Sequence, residues 1–227
     1  MTMLARAAAR WSTENLISWG LDRNGVAAIS ISTQRGGLVL LHKILQIAPD
    51  VAVLFLDTGY HFQETLDFRD ELAAKWDLNL VNLEPRLSHL TLEMVPAKVY
   101  ETDPDACCGS RKVDVLREAL VDYSVWFTAL RREQSLSRRD TAKVERYEQS
   151  ETHTLYKVNP LVDWTFQDIM TYTHEHGIPE HPLYGEGYSS IGCAPCTVPT
   201  FGADDSRDGR WKGRKVECGL HVRVTAE

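Results

Sequence analysis

The sequence lacks the features that mark membrane and secreted proteins. No uninterrupted apolar run in its 227 residues approaches the length of a membrane span. The first segment, MTMLARAAARWSTENLISWG, has neither the apolar core nor the cleavage site of a signal peptide. The cysteines number five, and an odd number excludes a complete disulfide framework. We therefore expect a soluble protein in a reducing compartment, the cytoplasm, with no membrane partner.

An excess of positive charge is also missing. The chain carries 32 acidic and 25 basic residues, and its net charge of −7 argues against broad nucleic-acid binding. Basic residues nevertheless crowd two segments, one with Arg131, Arg132, Arg138 and Arg139, the other with Arg207, Arg210, Lys212, Arg214 and Lys215. Local basic clusters on an acidic protein suit a small anion better than a polymer.

Linkers, internal repeats and low-complexity tracts are absent from the sequence as well. With 43% hydrophobic residues, the chain has enough apolar material for one large core. We therefore predict a single domain over residues 1–227, with an α/β nucleotide-binding core over about 1–181 and a loop-rich, cysteine-bearing segment and tail over about 182–227. A homo-oligomer is compatible with the sequence, which leaves the oligomeric state open.

Apolar strands alternate with amphipathic helices along the first three quarters of the chain. The predicted strands span 26–32, 51–56, 78–83, 123–130 and 153–161, and the predicted helices span 4–19, 36–48, 62–76 and 164–176, with Asp163 as the cap of the last. Such alternation indicates βαβ units and a parallel sheet. Three histidines near the end of the last helix, His174, His176 and His181, are predicted to be surface residues.

Polar residues follow three of these strands. They are Ser30 and Ser32 after the first strand, Asp57, Thr58 and Gly59 after the second, and Arg131 and Arg132 after the fourth. Each segment alone reads as an ordinary turn, but parallel sheets bind ligands beyond the carboxyl ends of their strands, so together they favour an anion-binding cleft. The Walker and dinucleotide-binding glycine patterns are both missing.

Four cysteines occur as two close pairs, Cys107 with Cys108 and Cys193 with Cys196. Such a set can hold a structural zinc ion or an iron–sulfur cluster. Adjacent cysteines project divergently, which favours a larger [4Fe–4S] cluster, although Cys107 and Cys108 taken alone read as buried apolar thiols. Lys112, one helical turn beyond the first pair, could compensate the negative charge of thiolate ligands.

The fifth cysteine, Cys218, lies between Glu217 and His221 on a short polar tail. Too little chain follows it to build a packing shell around the thiol, so the position favours a reactive thiol. Its reactivity depends on the thiolate form, because the ordinary cysteine pKa is about 8.5.

The motifs resemble those of the assimilatory adenylyl-sulfate reductases of the PAPS/APS reductase family, from about Val26 to the tail. They are LDTGYHF (56–62), CC followed by RKV (107–113), LRREQS (130–135), VNPLVDWT (158–165), GYSSIGCAPCT (187–197), GRW (209–211) and ECGLH (217–221). The first phosphate-binding segment differs from the family pattern, since Thr33 stands where glycine is common.

The resemblance implies an adenine-nucleotide α-hydrolase-like fold with a modified phosphate loop, and reduction of adenosine 5′-phosphosulfate (APS) to sulfite and AMP in sulfate assimilation for cysteine biosynthesis. It implies that Cys218 is the nucleophile, that Cys107, Cys108, Cys193 and Cys196 bind a [4Fe–4S] cluster, and that thioredoxin or glutaredoxin supplies the electrons. Reduction of 3′-phosphorylated APS (PAPS), sulfur insertion into tRNA and a zinc-stabilised nucleotide-binding module are the alternatives.

The implied chemistry assigns further roles near the tail. A protonated His221 would favour the Cys218 thiolate, and the cations that would bind phosphate and sulfate oxygens are Arg131, Arg132, Arg207 and Arg210. Lys112 is also predicted to bind the substrate. His61 either contacts the nucleotide or caps the following helix. The glycine- and charge-rich run 202–213 suggests a tail that closes over the nucleotide and later swings outward.

Overall fold

The computed structural model describes residues 3–23, 25–86, 98–148, 153–202 and 207–221. Its helices are α1 (Met3–Ala8), α2 (Thr13–Leu21), α3 (Arg35–Leu45), α4 (Gln63–Trp76), α5 (Val99–Thr102), α6 (Pro104–Cys108), α7 (Asp114–Ala119) and α8 (Phe166–Glu175). Its strands are β1 (Ala27–Ile31), β2 (Ala52–Leu56), β3 (Leu80–Leu83), β4 (Val125–Phe127), β5 (Val144–Glu148) and β6 (Thr154–Val158). Part of the run predicted to be mobile, 203–206, lies outside the described residues.

The six strands form one sheet in the order β3-β2-β1-β4-β6-β5. Neighbouring strands are parallel except β5, which pairs antiparallel with β6 at the edge. The predicted parallel α/β sheet is therefore confirmed. The edge strand β5 was not predicted, because its sequence VERYE is mostly polar; inside the fold Glu145 of this strand pairs with the buried Lys157 at 3.3 Å.

Alternate residues of the central strands face two separate apolar layers. Ile29, Val53 and Phe127 belong to the larger core, which also receives the apolar faces of α2, α3, α4 and α8. Ala28 and Leu54 face the other side, where α7 packs. Helices therefore cover both faces of the sheet, and ligands can reach it only at the ends of the strands.

Two predicted helix boundaries are wrong. The predicted N-terminal helix is two helices, because the Ser12 side chain accepts a hydrogen bond from the Asn15 backbone and begins α2 there. The last predicted helix is capped by Thr165, not by Asp163; Thr165 and Asp168 bond each other's backbone in a capping box. Asp163 instead pairs with Lys143 at 3.0 Å and with Arg132.

The histidines that follow α8 were also assigned in part wrongly. His174 and His176 are exposed, as predicted, but His181 is buried. Its Nδ1 accepts a hydrogen bond from the Leu183 backbone at 3.2 Å, and its Nε2 lies 2.9 Å from the Thr65 hydroxyl of α4. These two contacts fix where the chain leaves the sheet layer.

Residues 182–221, as far as they are described, contain short 3₁₀ turns at Pro182–Glu186, Ala194–Cys196 and Trp211–Gly213, and one bridge between Thr197 and Arg210. They confirm the loop-rich character predicted for this part of the chain. The domain boundary near residue 181 stays a prediction. Within the described ranges, no helix combines the length and the apolarity needed to cross a bilayer.

Candidate functional site

A cavity opens at the carboxyl edge of the sheet. Its walls include 30–32 at the end of β1, 55–56 at the end of β2 and 128–130 after β4. Residues of the C-terminal region cover it, among them Gly192, Cys218 and Leu220. Of the polar residues predicted to converge after the first, second and fourth strands, only Ser30 and Ser32 of the first lie in this lining.

The lining of the cavity is strongly cationic. It includes five basic side chains, Arg35, Lys112, Arg138, Arg207 and Arg210, and no aspartate or glutamate among the described lining residues. This contrasts with the net charge of −7 over the whole chain. A concave surface with one sign of charge concentrates ligands of the opposite sign, so the cavity is suited to an anion.

The loop between β1 and α3 forms the floor beside these cations. Thr33 is fully buried and has φ +56°, a left-handed conformation that glycine adopts more readily. The following helix, α3, begins at Arg35 without a cap from the Gln34 side chain, and the Arg35 backbone N–H donates to the Tyr184 hydroxyl at 3.3 Å. The Ser30 hydroxyl accepts a hydrogen bond from Trp126 Nε1 at 2.8 Å.

The predicted substrate-binding residues separate into two groups. Ser30, Ser32, Lys112, Arg207 and Arg210 line the cavity, together with the predicted catalytic residues Cys218 and His221. Asp57, Thr58, Gly59, Arg131 and Arg132 do not line it. The substrate-binding role of both groups stays a prediction.

The second group has other contacts. Asp57 lies 3.6 Å from Arg69 and accepts a hydrogen bond from the Gly59 backbone. Arg131 is buried, and its backbone N–H donates to the Gln134 amide oxygen at 3.2 Å. Arg132 donates to the Thr141 carbonyl and pairs with Asp163.

The four paired cysteines line a second, smaller cavity next to the first. All four thiols are free and buried, and the first pair is presented by α6, which Asp103 caps with two backbone hydrogen bonds. Cys193 and Cys196 lie at the two ends of the short 3₁₀ turn Ala194–Cys196, Cys193 as its N-cap residue. Among the described residues, no three histidine, cysteine, aspartate or glutamate side chains converge as ligands of a single metal ion.

The four thiols differ in acidity. Burial, together with the thiols of Cys108 and Cys193, raises the pKa of Cys107 to about 11. Burial also opposes ionisation of Cys193, but Lys112, the Thr58 hydroxyl at 3.3 Å and Arg210 outweigh it and hold the pKa of Cys193 below its ordinary value. The second cavity therefore combines buried thiols with cations that can balance thiolate charge.

Lys112 and Arg210 lie in the wall between the two cavities and line both. Lys112 belongs to one π-helical turn, Gly109–Val113, directly after α6. Arg210 donates to the Ser190 hydroxyl and the Ile191 carbonyl at 3.3 and 3.2 Å. Gly192 makes room for it, since a Cβ there would lie 2.0 Å from Arg210 Nη2.

Cys218 is half-buried in the lining of the cationic cavity and packs against the apolar cluster of Cys193, Cys196 and Trp211. The preceding residue, Glu217, has both carboxylate oxygens in contact with Arg138, each at 2.8 Å. The tail is therefore docked against the cavity in this structure. The role of Glu217 was not predicted from the sequence.

His221 lies in the lining of the cavity, in a buried environment. Its ring stacks on Trp126, with the ring centroids 5.6 Å apart. Burial, followed by the charges of Lys157, Arg138 and Arg207, lowers the pKa of His221 well below its ordinary value. Burial therefore disfavours the protonated form of His221, and its predicted catalytic role stays a prediction.

His61 does not cap the following helix. The N-cap residue of α4 is Phe62, which makes no side-chain capping bond, whereas His61 Nε2 bonds the Leu56 carbonyl at 2.8 Å. His61 lines the cavity instead. Arg138, Trp211 and Tyr184 also line it without having been predicted as site residues; for Arg138 the basic cluster 131–139 was the available signal.

The mostly parallel sheet with a cationic cavity at its carboxyl edge defines an α/β nucleotide-binding class of fold. The fold is similar to that of phosphoadenylyl-sulfate reductase from Candida auris, solved as a phosphate complex, with a TM-score of 0.71 and 24% identity over 86% of this chain and 94% of that one. The family model of the phosphoadenosine phosphosulfate reductase domain matches residues 26–199. The chain belongs to this family, as its motifs predicted.

Two relatives extend the similarity over nearly the whole chain. The adenosine 5′-phosphosulfate reductase of Streptomyces coelicolor is 40% identical over 209 residues, which cover 91% of this chain and 86% of the relative. The adenosine 5′-phosphosulfate reductase of Geobacillus thermodenitrificans is 43% identical over 217 residues, which cover 92% and 89%. Both matches include more residues than the family domain alone.

Proposed function

We propose that this protein reduces APS to sulfite and AMP in sulfate assimilation, in the cytoplasm. The observation that carries the proposal is the position of Cys218, a free thiol in the lining of a cationic cavity at the nucleotide-binding edge of the sheet. Two relatives with about 40% identity over most of the chain carry the name of this activity, which supports APS as the substrate.

In the first half-reaction the Cys218 thiolate attacks the sulfur of APS. A bond forms between Cys218 Sγ and that sulfur, and the bond from sulfur to the bridging phosphate oxygen breaks. AMP leaves with the electron pair, and Cys218 carries an S-sulfo group. Lys112, Arg207 and Arg210 line the space around the thiol, so they are the groups we assign to the phosphate and sulfate oxygens.

In the second half-reaction a thiolate from another protein attacks Cys218 Sγ and expels sulfite with the electron pair of the S–S bond. The second thiol of that dithiol then resolves the mixed disulfide and restores Cys218. The dithiol is oxidised to a disulfide while sulfur goes from the sulfate to the sulfite level. We propose thioredoxin or glutaredoxin as this partner, because the other four cysteines are buried beside the second cavity.

We propose that Cys107, Cys108, Cys193 and Cys196 hold a [4Fe–4S] cluster. The donor set fits: four buried free thiols line one cavity, and Arg111, Lys112 and Arg210 line it with them. When bound, the cluster would tie α6 to the Ala194–Cys196 turn and add thiolate charge next to Lys112. Iron and sulfide analysis with visible absorption tests this, and a colourless protein with one zinc ion would contradict it.

Incubation with APS and no thiol donor tests the catalytic role of Cys218. We expect stoichiometric AMP release and a sulfonate on the Cys218 peptide, detected by mass spectrometry. Cys218→Ser should bind nucleotide without forming the adduct and should release no sulfite when thioredoxin is added. Sulfite production by this variant would refute the assignment, and faster turnover of PAPS than of APS would refute the proposed substrate.

A further inference from the structure

We propose that Glu217 positions the nucleophile: its carboxylate docks the tail onto Arg138 and Arg207, and so places Cys218 over the cavity. The inference rests on the proposed function, because it concerns the thiol that attacks the substrate there. Glu217 itself does not touch the reacting atoms in this account. By fixing its own backbone, Glu217 sets the position of the next residue, Cys218.

The carboxylate of Glu217 is surrounded by donors from two segments. Arg138 Nε and Nη2 contact its two oxygens at 2.8 Å each, in a bidentate arrangement. The hydroxyls of Ser137 and Ser135 reach the same carboxylate at 3.1 and 3.4 Å. Arg207 Nη2 adds a contact at 3.3 Å. Bidentate, charge-assisted hydrogen bonds fix an orientation as well as a distance.

This contact is protected from water, unlike another ion pair on the tail. The side chains of Arg138 and Glu217 are only 9% and 13% exposed. The Lys215 ion pair reaches Asp105, whose side chain is 83% exposed. Because exposed ion pairs contribute little and buried ones are costly to break on one side, the Glu217 contact should dominate the docking of the tail.

The two arginines have different geometries around Glu217. Arg138 uses two nitrogens on the carboxylate, which fits a docking role. Arg207 contributes only Nη2, while its Nε is buried without a hydrogen-bond partner in the described structure. Both residues line the cavity. Arg207 therefore connects the tail to the space where the substrate anion would lie.

A comparison of Glu217→Gln with wild type tests the inference on the iron-loaded protein. The first readout is the rate at which iodoacetamide alkylates Cys218, followed on its tryptic peptide. Loss of the carboxylate charge should raise this alkylation rate by about tenfold. That change corresponds to a decrease of about 1.4 kcal/mol in the free energy needed to open the tail. The second readout is steady-state kinetics with APS, where kcat should fall by about 100-fold, as expected for a misplaced reacting group, with KM nearly unchanged.

Further variants separate positioning from folding. Glu148→Gln is the matched control. In the described structure this exposed glutamate at the end of β5 pairs with Arg146 and does not line the cavity, so the variant should behave as wild type in both readouts. Arg138→Lys keeps the charge but loses the bidentate contact, and it should give intermediate values in both. The double variant Glu217→Gln with Arg138→Lys should be no slower than Glu217→Gln alone, because the two residues act as one unit.

Unchanged alkylation of Cys218 in Glu217→Gln would overturn the inference, and so would a raised KM with an unchanged kcat. Failure of the proposed function would look different. In that case wild type would form no Cys218 adduct with APS, while the alkylation comparison would still decide whether Glu217 docks the tail.

Discussion

The sheet and the C-terminal region are built on different principles. Within the described part of the chain, the larger apolar core of the sheet contains 23 buried residues, the first Ala8 and the last Ile178. The cluster that unites the C-terminal region contains three, and two of these are cysteines. Polar contacts take the place of apolar burial there, including those of Glu217 and Arg210.

This difference divides stability from chemistry. The sheet can hold the cavity floor through apolar burial alone, at roughly 1.5–3 kcal/mol for each large side chain. The C-terminal region has too few apolar residues for that, so its order depends on charge pairing and on whatever the four thiols bind. It is also the region that brings Cys218 to the cavity. The reactive thiol of Cys218 therefore belongs to the C-terminal region, whose order depends on ion pairs and bound ligands.

The largest effect is expected from Cys193→Ser. Loss of one buried thiol should remove the iron and nearly all sulfite production, because the two cysteine-bearing segments lose their common ligand. Limited proteolysis should then cut within 182–221 while the sheet survives as a resistant fragment with its far-ultraviolet circular dichroism retained.

Cys218→Ser is the matched control for this experiment, since it removes a thiol that lies outside the second cavity. It should keep its iron and its protease resistance. If Cys193→Ser instead unfolds the whole chain at once, the two regions form one cooperative unit and the contrast drawn between them is wrong.

A substitution in the sheet layer should have the opposite signature. Leu40 of α3 is fully buried in the larger core, and Leu40→Ala should lower the free energy of unfolding by about 2–5 kcal/mol. The folded fraction should keep its iron content per molecule. Urea unfolding measures the loss, and Leu136→Ala, at a leucine that is 85% exposed, should change it by less than about 0.5 kcal/mol.

Five of the six strands could be predicted from the sequence, because buried parallel strands are short apolar runs between turn residues. β5 could not, since Glu145 is buried only by virtue of its pair with Lys157. The break between α1 and α2 had a visible signal in Ser12, which the helical periodicity on both sides concealed. A long-range pair overrode local propensity at β5, whereas a local cap ended the helical pattern at Ser12.

The candidate site followed the same pattern. The five cysteines drew attention because of their spacing, and the structure brings Cys218 next to Cys193 and Cys196. The burial of His221 against Trp126, which lowers the pKa of its imidazole, could not be predicted because it depends on the tertiary fold. From the sequence, Thr33 was only a departure from the family pattern, and the structure gives it a φ of +56°, where glycine is favoured.

His181 lies at the junction between the sheet and the C-terminal region, so its titration reports how closely the two regions unfold together. Burial, partly offset by Glu64 and reinforced by His61, lowers the pKa of His181 to about 4. The unfolded chain therefore takes up a proton between pH 6.5 and 4 that the folded chain does not, and stability falls as the pH falls through this window. From pH 7 to pH 5 the loss from this group should be about 2 kcal/mol.

His181→Asn can keep the contact with the Leu183 backbone, because its amide oxygen takes the place of Nδ1, although its shorter side chain loses the contact with the Thr65 hydroxyl. The difference in unfolding free energy between pH 7 and pH 5, measured in urea, should shrink by about 2 kcal/mol relative to wild type. His174→Asn, at an exposed histidine, should leave it unchanged. An equal pH dependence in His181→Asn and wild type would mean that the junction opens before the sheet unfolds, so that His181 titrates outside the cooperative core.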